Sequence, residues 1–191
     1  MKMRLLLGDQ LNIEHSWFKK TEDDVCYVQM EMRQETDYAP HHIQKVVAFF
    51  GAMRNFEKEI KQKGHHTQYL TLDDPENKQH LMENLNHLIQ KHKIKSFEYQ
   101  EPDEYRLDKQ IADFCQSLSI PFQMVSSEHF MTSRKALSTF FQGKKQYIME
   151  FFYRDMRKKF DLLMQDQQPE GGQWNYDKNN RKKWKGTPTI P

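Results

Sequence analysis

The chain has 191 residues, a net charge of +2 and a mean hydropathy of −0.97, which suits one water-exposed domain with a single core, or one domain followed by a tail. No apolar run is long enough to span a membrane, and only two distant cysteines are present, Cys26 and Cys115, which excludes a disulfide framework or a cysteine-ligated cluster within this sequence. The apolar run 5–7 is too short for a signal peptide, and we therefore expect a cytoplasmic protein.

Five short stretches predict β-strands. The first, residues 3–7, is an apolar run that ends at Gly8, and its length favours a strand buried on both faces at the centre of a sheet. Apolar or alternating stretches of similar length predict the other four strands, at residues 24–30, 67–72, 95–100 and 121–125.

Between these strands, apolar residues recur at the helical spacing. The clearest helix is expected over residues 40–63, with Gly64 as its C-terminal stop, and two more are expected to begin at the capping segments 73–76 and 101–103. Strands that alternate with helices form a parallel sheet with helices on both faces, because crossover connections are right-handed. The sequence therefore predicts a doubly wound, five-stranded α/β domain over residues 1–125.

Beyond that domain the pattern changes, and we expect an interdomain linker helix and an extended tail over residues 126–191. A short helical piece is expected at 133–141, and a strong amphipathic helix at 147–164. Its basic face continues into a basic run at 181–185, which indicates either a solvated face or a surface for a polyanion.

The tail also carries three large aromatic residues, Trp174, Tyr176 and Trp184, in a segment rich in Gly and polar residues. Such groups either pack on their own domain or mark a docking surface. We expect them to lie against a domain that this chain lacks.

Polar residues cluster where the first two strands end. In open parallel sheets this edge is where ligands bind, and Gly8 would allow close approach of the backbone. We expect a polar ligand with an aromatic floor at a site formed by Gly8, Asp9, Gln10, Glu35, Tyr38, His41 and Phe49. The alternative is an ordinary turn with carboxylates that cap helices. The segment 101–106 leaves the fourth strand at the same edge, and its simplest interpretation is a capped helix start with a charge pair between Asp103 and Arg106.

Several common chemistries are not encoded. One glycine stands where a dinucleotide-binding fingerprint needs three, and the phosphate loop of nucleotide hydrolases is absent. The adjacent pairs His41-His42 and His65-His66 point in different directions and do not have metal-ligand spacing. We therefore predict no metal site and no catalytic residue in this chain.

Several segments together resemble one known family, the photolyase-related proteins of the cryptochrome/photolyase superfamily, in the bacterial six-four type that carries an iron–sulfur cluster. The resemblance spans essentially the whole chain, and its last two motifs are long and specific. The segments are Leu7-Gly8-Asp9-Gln10-Leu11, His41-His42 with Ala52-Met53-Arg54, Glu101-Pro102-x-Glu104-Tyr105-Arg106, Met149-Glu150-Phe151-Phe152-Tyr153-Arg154-x-Met156-Arg157, and Gly171-Gly172-x-Trp174-Asn175-Tyr176-Asp177-x-x-Asn180-Arg181.

The resemblance implies a DNA-repair flavoprotein of the lyase class. Its N-terminal α/β domain would hold a light-harvesting 6,7-dimethyl-8-ribityllumazine, and its helical C-terminal domain would hold FAD, the cluster and damaged DNA. This chain resembles the first part only, so the helical domain is an expected partner and the chain alone is not expected to repair six-four photoproducts. We expect the isolated chain to cover the resulting unpartnered interface by self-association.

By the same resemblance, Gly8, Asp9, Gln10, Glu35, Tyr38, His41 and Phe49 would line the lumazine, with Asp9 and Glu35 bonded to its ring or ribityl groups. Phe49 is aromatic where the family can carry an aliphatic residue, so a bulkier ring would occupy part of the pocket. The alternative function is a stand-alone, flavodoxin-like module that binds a nucleotide or nucleic acid through its basic tail, without photochemistry.

Overall fold

The computed structural model describes residues 1–177 and 185–186. The chain forms two compact units, Met1–Met131 and Thr132–Pro191. The expectations for residues 180–184, which include Trp184 and most of the basic run, lie outside the described residues.

The first unit contains a five-stranded, all-parallel sheet in the order β3-β2-β1-β4-β5, which confirms the predicted fold class and the central position of the first strand. That strand ends at Leu5, earlier than predicted. The backbone N–H of Leu7 donates to the side-chain Oε1 of Gln10 at 3.0 Å instead of continuing the ladder. The strands are β1 Lys2–Leu5, β2 Val25–Met30, β3 His66–Leu70, β4 Ser96–Gln100 and β5 Phe122–Val125.

Four α-helices lie between these strands in the described part of the first unit, and the sequence patterns had not indicated the first of them, α1. The long helix begins at Ile43 rather than at Pro40, because His42 is its N-cap and its Nδ1 accepts from the N–H of Gln44 at 3.2 Å. The helices are α1 Arg33–Asp37, α2 Ile43–Gln62, α3 Leu81–Lys91 and α4 Tyr105–Ser117.

The third helix also begins later than predicted. The carboxylate of Asp74 accepts from the N–H of Glu76 at 2.8 Å, so it closes a turn and does not cap the helix. The helix starts only at Leu81, after a loop in which Asn84 Oδ1 accepts from the N–H of Lys78 at 2.7 Å.

The sheet has an apolar core on each face, as alternation along β1 requires. Met3 and Leu5 face the first core, which α3 and α4 complete with Leu85, Leu88 and Ile111. Arg4 and Leu6 alternate with them, and Leu6 belongs to the second core, where Phe56 and Ile60 of α2 pack with Trp17, Phe18, Val25 and Tyr27. Arg4 is buried among partners, since Glu98, Glu22 and the hydroxyl of Tyr27 accept from its guanidinium at 2.7–2.9 Å.

The buried side chain of His15 binds the segment that follows β5 to the first unit. The N–H of Trp17 donates to His15 Nδ1 at 3.1 Å, so His15 Nε2 carries the proton and donates to Ser126 O at 3.0 Å. The carboxylate of Glu128 accepts from the N–H of Ser16 at 3.1 Å. The compact unit therefore reaches beyond residue 125.

The second unit contains α5 Ala136–Phe141, α6 Met149–Lys159 and a small hairpin of β6 Met164–Gln165 with β7 Gln168–Pro169. The amphipathic helix stops at Lys159, short of the predicted residue 164. Asp161 and Leu163 adopt positive φ angles of 52°, and the guanidinium of Arg157 donates to the carbonyls of Leu162 and Leu163.

Residues 164–177 form the hairpin and a following segment that folds back on this helix. The guanidinium carbons of Arg154 and Arg157 lie 5.4 and 5.2 Å from the centre of the Trp174 ring. The hydroxyl of Tyr176 donates to Glu170 O at 3.0 Å. Trp174 therefore packs on its own unit, the first of the two alternatives that its sequence context allowed.

Candidate functional site

A cavity of about 200 Å³ lies at the carboxyl edge of the sheet in the first unit. The ends of β1 and β2 form its floor with Leu6 and Met30, and α2 supplies Phe50 and Met53. Six of the seven predicted site residues line this one cavity: Gly8, Asp9, Glu35, Tyr38, His41 and Phe49. Thr36, Lys45 and Glu104 also line it, and the sequence had not singled out Thr36 or Lys45.

Gln10 does not line the cavity. Its side chain is buried, and besides accepting from Leu7 N it donates from Nε2 to the carbonyls of Gln100 and Glu101, at 3.3 Å each. Gln10 therefore ties the end of β1 to the end of β4, and its contribution to the site is to hold this edge of the sheet together.

The Phe49 ring closes one side of the cavity against Gly8. A Cβ atom placed on Gly8 would lie 2.5 Å from both Cε1 and Cζ of Phe49 and 2.9 Å from Sδ of Met53. Only glycine leaves room for the ring in this position. The Phe49 side chain is 38% exposed, so the ring lies at the mouth of the cavity with solvent on its outer side.

Glu35 supplies a polar wall with one unused oxygen. Its Oε2 accepts from Arg106 Nη2 at 3.0 Å, whereas Oε1 is buried and has no hydrogen-bond partner. An unpaired buried acceptor is costly, so a site that contains one is suited to a ligand that brings a donor. The short helix that carries Glu35 is fixed at its base, because Leu81 N donates to Oε1 of Gln34 at 2.8 Å.

Arg106 is a residue of this site that sequence reasoning assigned differently. The expected charge pair with Asp103 is not the one that forms: the guanidinium donates to Glu104 at 2.8 and 3.1 Å, and its carbon lies 4.9 Å from the centre of the Tyr38 ring. Asp103 instead lies 2.7 Å from Nδ1 of His129. The available signal was that segment 101–106 leaves a strand at the same edge as Glu35.

The mouth of the cavity is rich in carboxylates. Partial desolvation raises the pKa of Asp9, and the nearby charges of Asp103 and Glu104 add to this rise. Lys45 and His41 also line the cavity, and Lys45 Nζ lies 3.3 Å from Nδ1 of His41. The cavity therefore offers both carboxylate acceptors and a cationic donor.

Beside the cavity, the carboxylate of Glu31 joins the ends of β2 and β3 to α2. It is fully buried and accepts two hydrogen bonds from Arg54, at 2.5 and 2.8 Å, one from the hydroxyl of Tyr69 at 2.8 Å and one from Leu72 N at 2.9 Å. Burial alone would raise the pKa of Glu31, but these hydrogen bonds outweigh it and hold the pKa below its ordinary value. Glu31 is therefore a structural anchor for the floor of the site.

The described part of the chain offers few other reactive groups. Cys115 is buried, and burial raises the pKa of its thiol to about 11, while burial also raises the pKa of Cys26. Within residues 1–177 and 185–186, no group of three or more His, Cys, Asp or Glu side chains is arranged to hold a metal ion. Nor does any helix in these ranges have the length and apolar character needed to cross a membrane.

Comparison with known proteins places this site in a family context. Residues 4–191 match the family described as deoxyribodipyrimidine photo-lyase-related protein. The chain is 32% identical over 180 residues to a (6-4) photolyase of Agrobacterium fabrum, an alignment that covers 93% of this chain and 35% of that protein. It is also 34% identical over 95 residues to an uncharacterized protein of Acanthamoeba polyphaga mimivirus, with 48% of this chain and 45% of the viral protein covered.

The chain thus spans about a third of the photolyase and less than half of the viral protein. The family match covers nearly every residue, including the segments that form the cavity. This chain belongs to the family of deoxyribodipyrimidine photolyase-related proteins.

Proposed function

We propose that the first unit is the light-harvesting domain of a photolyase-related protein and that it holds 6,7-dimethyl-8-ribityllumazine in the cavity at the carboxyl edge of the sheet. The observation that carries this proposal is the cavity itself, which is lined by six residues that the family resemblance assigned to that chromophore. The position also agrees with the general rule for ligands of open α/β sheets.

The residues present fit such a group. Leu6, Met30 and Met53 offer an apolar floor for a flat heterocycle, and the unpaired Oε1 of Glu35 accepts from a ring N–H or a ribityl hydroxyl. Lys45 donates to a carbonyl or hydroxyl oxygen from the other side. When bound, the lumazine would absorb light, and the protein's part is to hold it in a fixed orientation away from water.

The size of the cavity gives Phe49 a specific role. Ligand pockets usually have volumes of roughly 300–1,000 Å³, and this one has about 200 Å³ with the Phe49 ring against Gly8. Binding therefore requires the ring to rotate towards solvent, and its exposed outer side leaves room for that movement.

The activity of the whole protein is a further part of the proposal. We place the repair of pyrimidine six-four photoproducts, with its FAD, iron–sulfur cluster and damaged DNA, in a helical domain outside this chain. Large exposed apolar side chains on α6 and the residue before it, Ile148, Met149, Phe151 and Tyr153, support docking of such a domain on the second unit.

The test is a fluorescence titration of the chain with 6,7-dimethyl-8-ribityllumazine, made with the parent protein and with Glu35→Gln. The matched control is Glu83→Gln, because Glu83 is an exposed carboxylate in the first turn of α3 and does not line the cavity. Saturable binding that only Glu35→Gln weakens supports the proposal. No saturable binding by the parent chain, or equal binding by all three proteins, contradicts it.

A second candidate function is binding of a polyanion by the second unit. Lys and Arg outnumber Asp and Glu in residues 132–191, whereas the acids outnumber the bases in residues 1–131. Undamaged duplex DNA binding that weakens steeply with rising salt would favour this function. Binding that is absent at low ionic strength would exclude it.

A further inference from the structure

We propose that Arg106 is a positioning residue of the cavity, which holds the carboxylate of Glu35 so that Oε1 points to the ligand. This inference rests on the proposed function, since it concerns how the same site recognises its ligand. Arg106 does not itself line the cavity. It contacts three groups that do, namely Glu35, Tyr38 and Glu104, and it acts on the ligand through Glu35.

The two carboxylate oxygens of Glu35 have different surroundings. Oε2 is 3.0 Å from Arg106 Nη2, and the pair is partly shielded from solvent, with 36% of the arginine and 23% of the glutamate side chain exposed. Oε1 has no partner. A carboxylate anchored by one oxygen has a restricted orientation, and its second oxygen remains available as an acceptor of fixed direction.

Arg106, which binds Oε2 of Glu35, is itself fixed by neighbouring residues. Arg106 is held by Glu104 through two donors, at 2.8 and 3.1 Å, and its planar group lies over the Tyr38 ring at 4.9 Å. These contacts join the first turn of α4 to the wall formed by α1 and Tyr38. They use the geometry of a guanidinium, which is planar, forked and able to lie against a ring, and an ammonium group lacks these properties.

The direction of Oε1 of Glu35 determines which ligand groups fit beside it. A carboxylate oxygen of fixed direction selects a ligand that presents an N–H or O–H donor at that point, and it disfavours a ligand with a carbonyl or phosphate oxygen there. Both the ring N–H and the ribityl hydroxyls of the lumazine can supply such a donor. The N3-methylated analogue and an analogue with a methyl group in place of ribityl distinguish the two sources.

The experiment is a double-mutant cycle of lumazine binding with Arg106→Gln, Glu35→Gln and the double variant. Lys109→Gln is the matched control, because Lys109 is an exposed cation on the same helix whose pair with Asp113, at 3.5 Å, lies outside the site. Arg106→Gln should weaken binding about tenfold in the parent background, as loss of an orienting partner commonly does. In the Glu35→Gln background, Arg106→Gln should change binding less than about twofold, because the carboxylate that Arg106 orients is gone.

Arg106→Lys provides a check on a purely structural role. It keeps the charge, and we expect it to restore folding stability while leaving most of the binding loss. Equal weakening by Arg106→Gln in both backgrounds, or full recovery of binding by Arg106→Lys, overturns the proposal.

A second readout separates failure of this inference from failure of the proposed function. Amide hydrogen exchange of residues 33–38 in the ligand-free protein should accelerate in Arg106→Gln and stay unchanged in Lys109→Gln. If the parent chain does not bind lumazine, the proposed function fails and this exchange alone decides the role of Arg106. Faster exchange then supports positioning of α1 by Arg106, and unchanged exchange overturns it.

Discussion

Substitution of Gly8 by alanine tests the contact that closes the cavity. The new Cβ would lie 2.5 Å from two atoms of the Phe49 ring, whereas carbon atoms at optimal separation are roughly 3.5–4.0 Å apart. The ring must therefore retreat by about 1 Å or more, and Sδ of Met53, at 2.9 Å, must also shift. Forced repacking of this kind costs about 1–3 kcal/mol of unfolding free energy.

The backbone of Gly8 does not add to this cost, because its φ angle lies outside the left-handed region. Most of the loss of stability should therefore disappear when the ring is removed, and the contact with Met53 accounts for the remainder. We expect Gly8→Ala to cost about 1–3 kcal/mol in the parent chain and less than about 1 kcal/mol in a Phe49→Leu background. Urea unfolding followed by far-ultraviolet circular dichroism measures both differences.

The same variants should separate stability from binding. Phe49→Leu should bind 6,7-dimethyl-8-ribityllumazine more tightly than the parent chain, since the ligand no longer has to displace a ring from the mouth. Val47→Leu is a suitable control, because Val47 is an exposed apolar residue on the same helix and does not line the cavity. Equal destabilisation by Gly8→Ala in both backgrounds would refute the reasoning, and so would weaker lumazine binding by Phe49→Leu.

Two further substitutions test the supports of the site. Glu31→Gln should lower the unfolding free energy by roughly 2–4 kcal/mol, because it places an amide donor against Arg54 inside a buried network, and Glu83→Gln should change it little in the same urea titration. Burial lowers the pKa of His65 below the ordinary value of about 6.5, so the unfolded state binds the proton more readily than the folded state. The neutral, buried His65 therefore contributes its full stability to the folded state above about pH 6.5, and this contribution is lost as the pH falls through the lowered pKa of the folded state. The unfolding temperature, measured across that pH range, should depend less on pH in His65→Gln than in the parent chain, with no such change in His66→Gln. Equal pH profiles for the two variants would exclude this account.

The architecture could be predicted because each strand of a parallel sheet is a short apolar run between helices of clear period. The predicted boundaries differ from the observed ones where a side chain bonds to the backbone and so ends a strand or starts a helix. The first strand stops early because Gln10 takes the N–H of Leu7, and α2 starts late because His42 caps it. Hydrophobic spacing contains no information on such side-chain to backbone bonds, so boundaries are less predictable than elements.

The site was predictable in its location and less so in its connections. The carboxyl edges of parallel strands meet, so residues after β1 and β2 had to approach each other, and Gly8, Asp9 and Glu35 do line one cavity. Arg106 follows a different strand, β4. It pairs with Glu104 and Glu35 and not with Asp103, and this pairing depends on the direction in which α4 begins. Gln10 also follows β1, but its side chain does not line the cavity because its amide donates to two carbonyls at the end of β4.

The cavity therefore combines one fixed wall with one movable wall. Arg106 pairs with Glu35, whereas the Phe49 ring packs against Gly8 and is partly exposed to solvent. On the proposed function, this ring moves outwards when lumazine binds. Affinity in such a site depends on the intrinsic contacts and on the fraction of molecules whose ring has already moved out. If the inward ring is favoured by about 1.4 kcal/mol, the apparent Kd for lumazine is about tenfold higher than that of the open form. On the proposed function, a residue at position 49 can thus set how tightly lumazine binds. Substitutions at Phe49 and Arg106 should affect binding independently, because Phe49 packs against Gly8 whereas Arg106 pairs with Glu35.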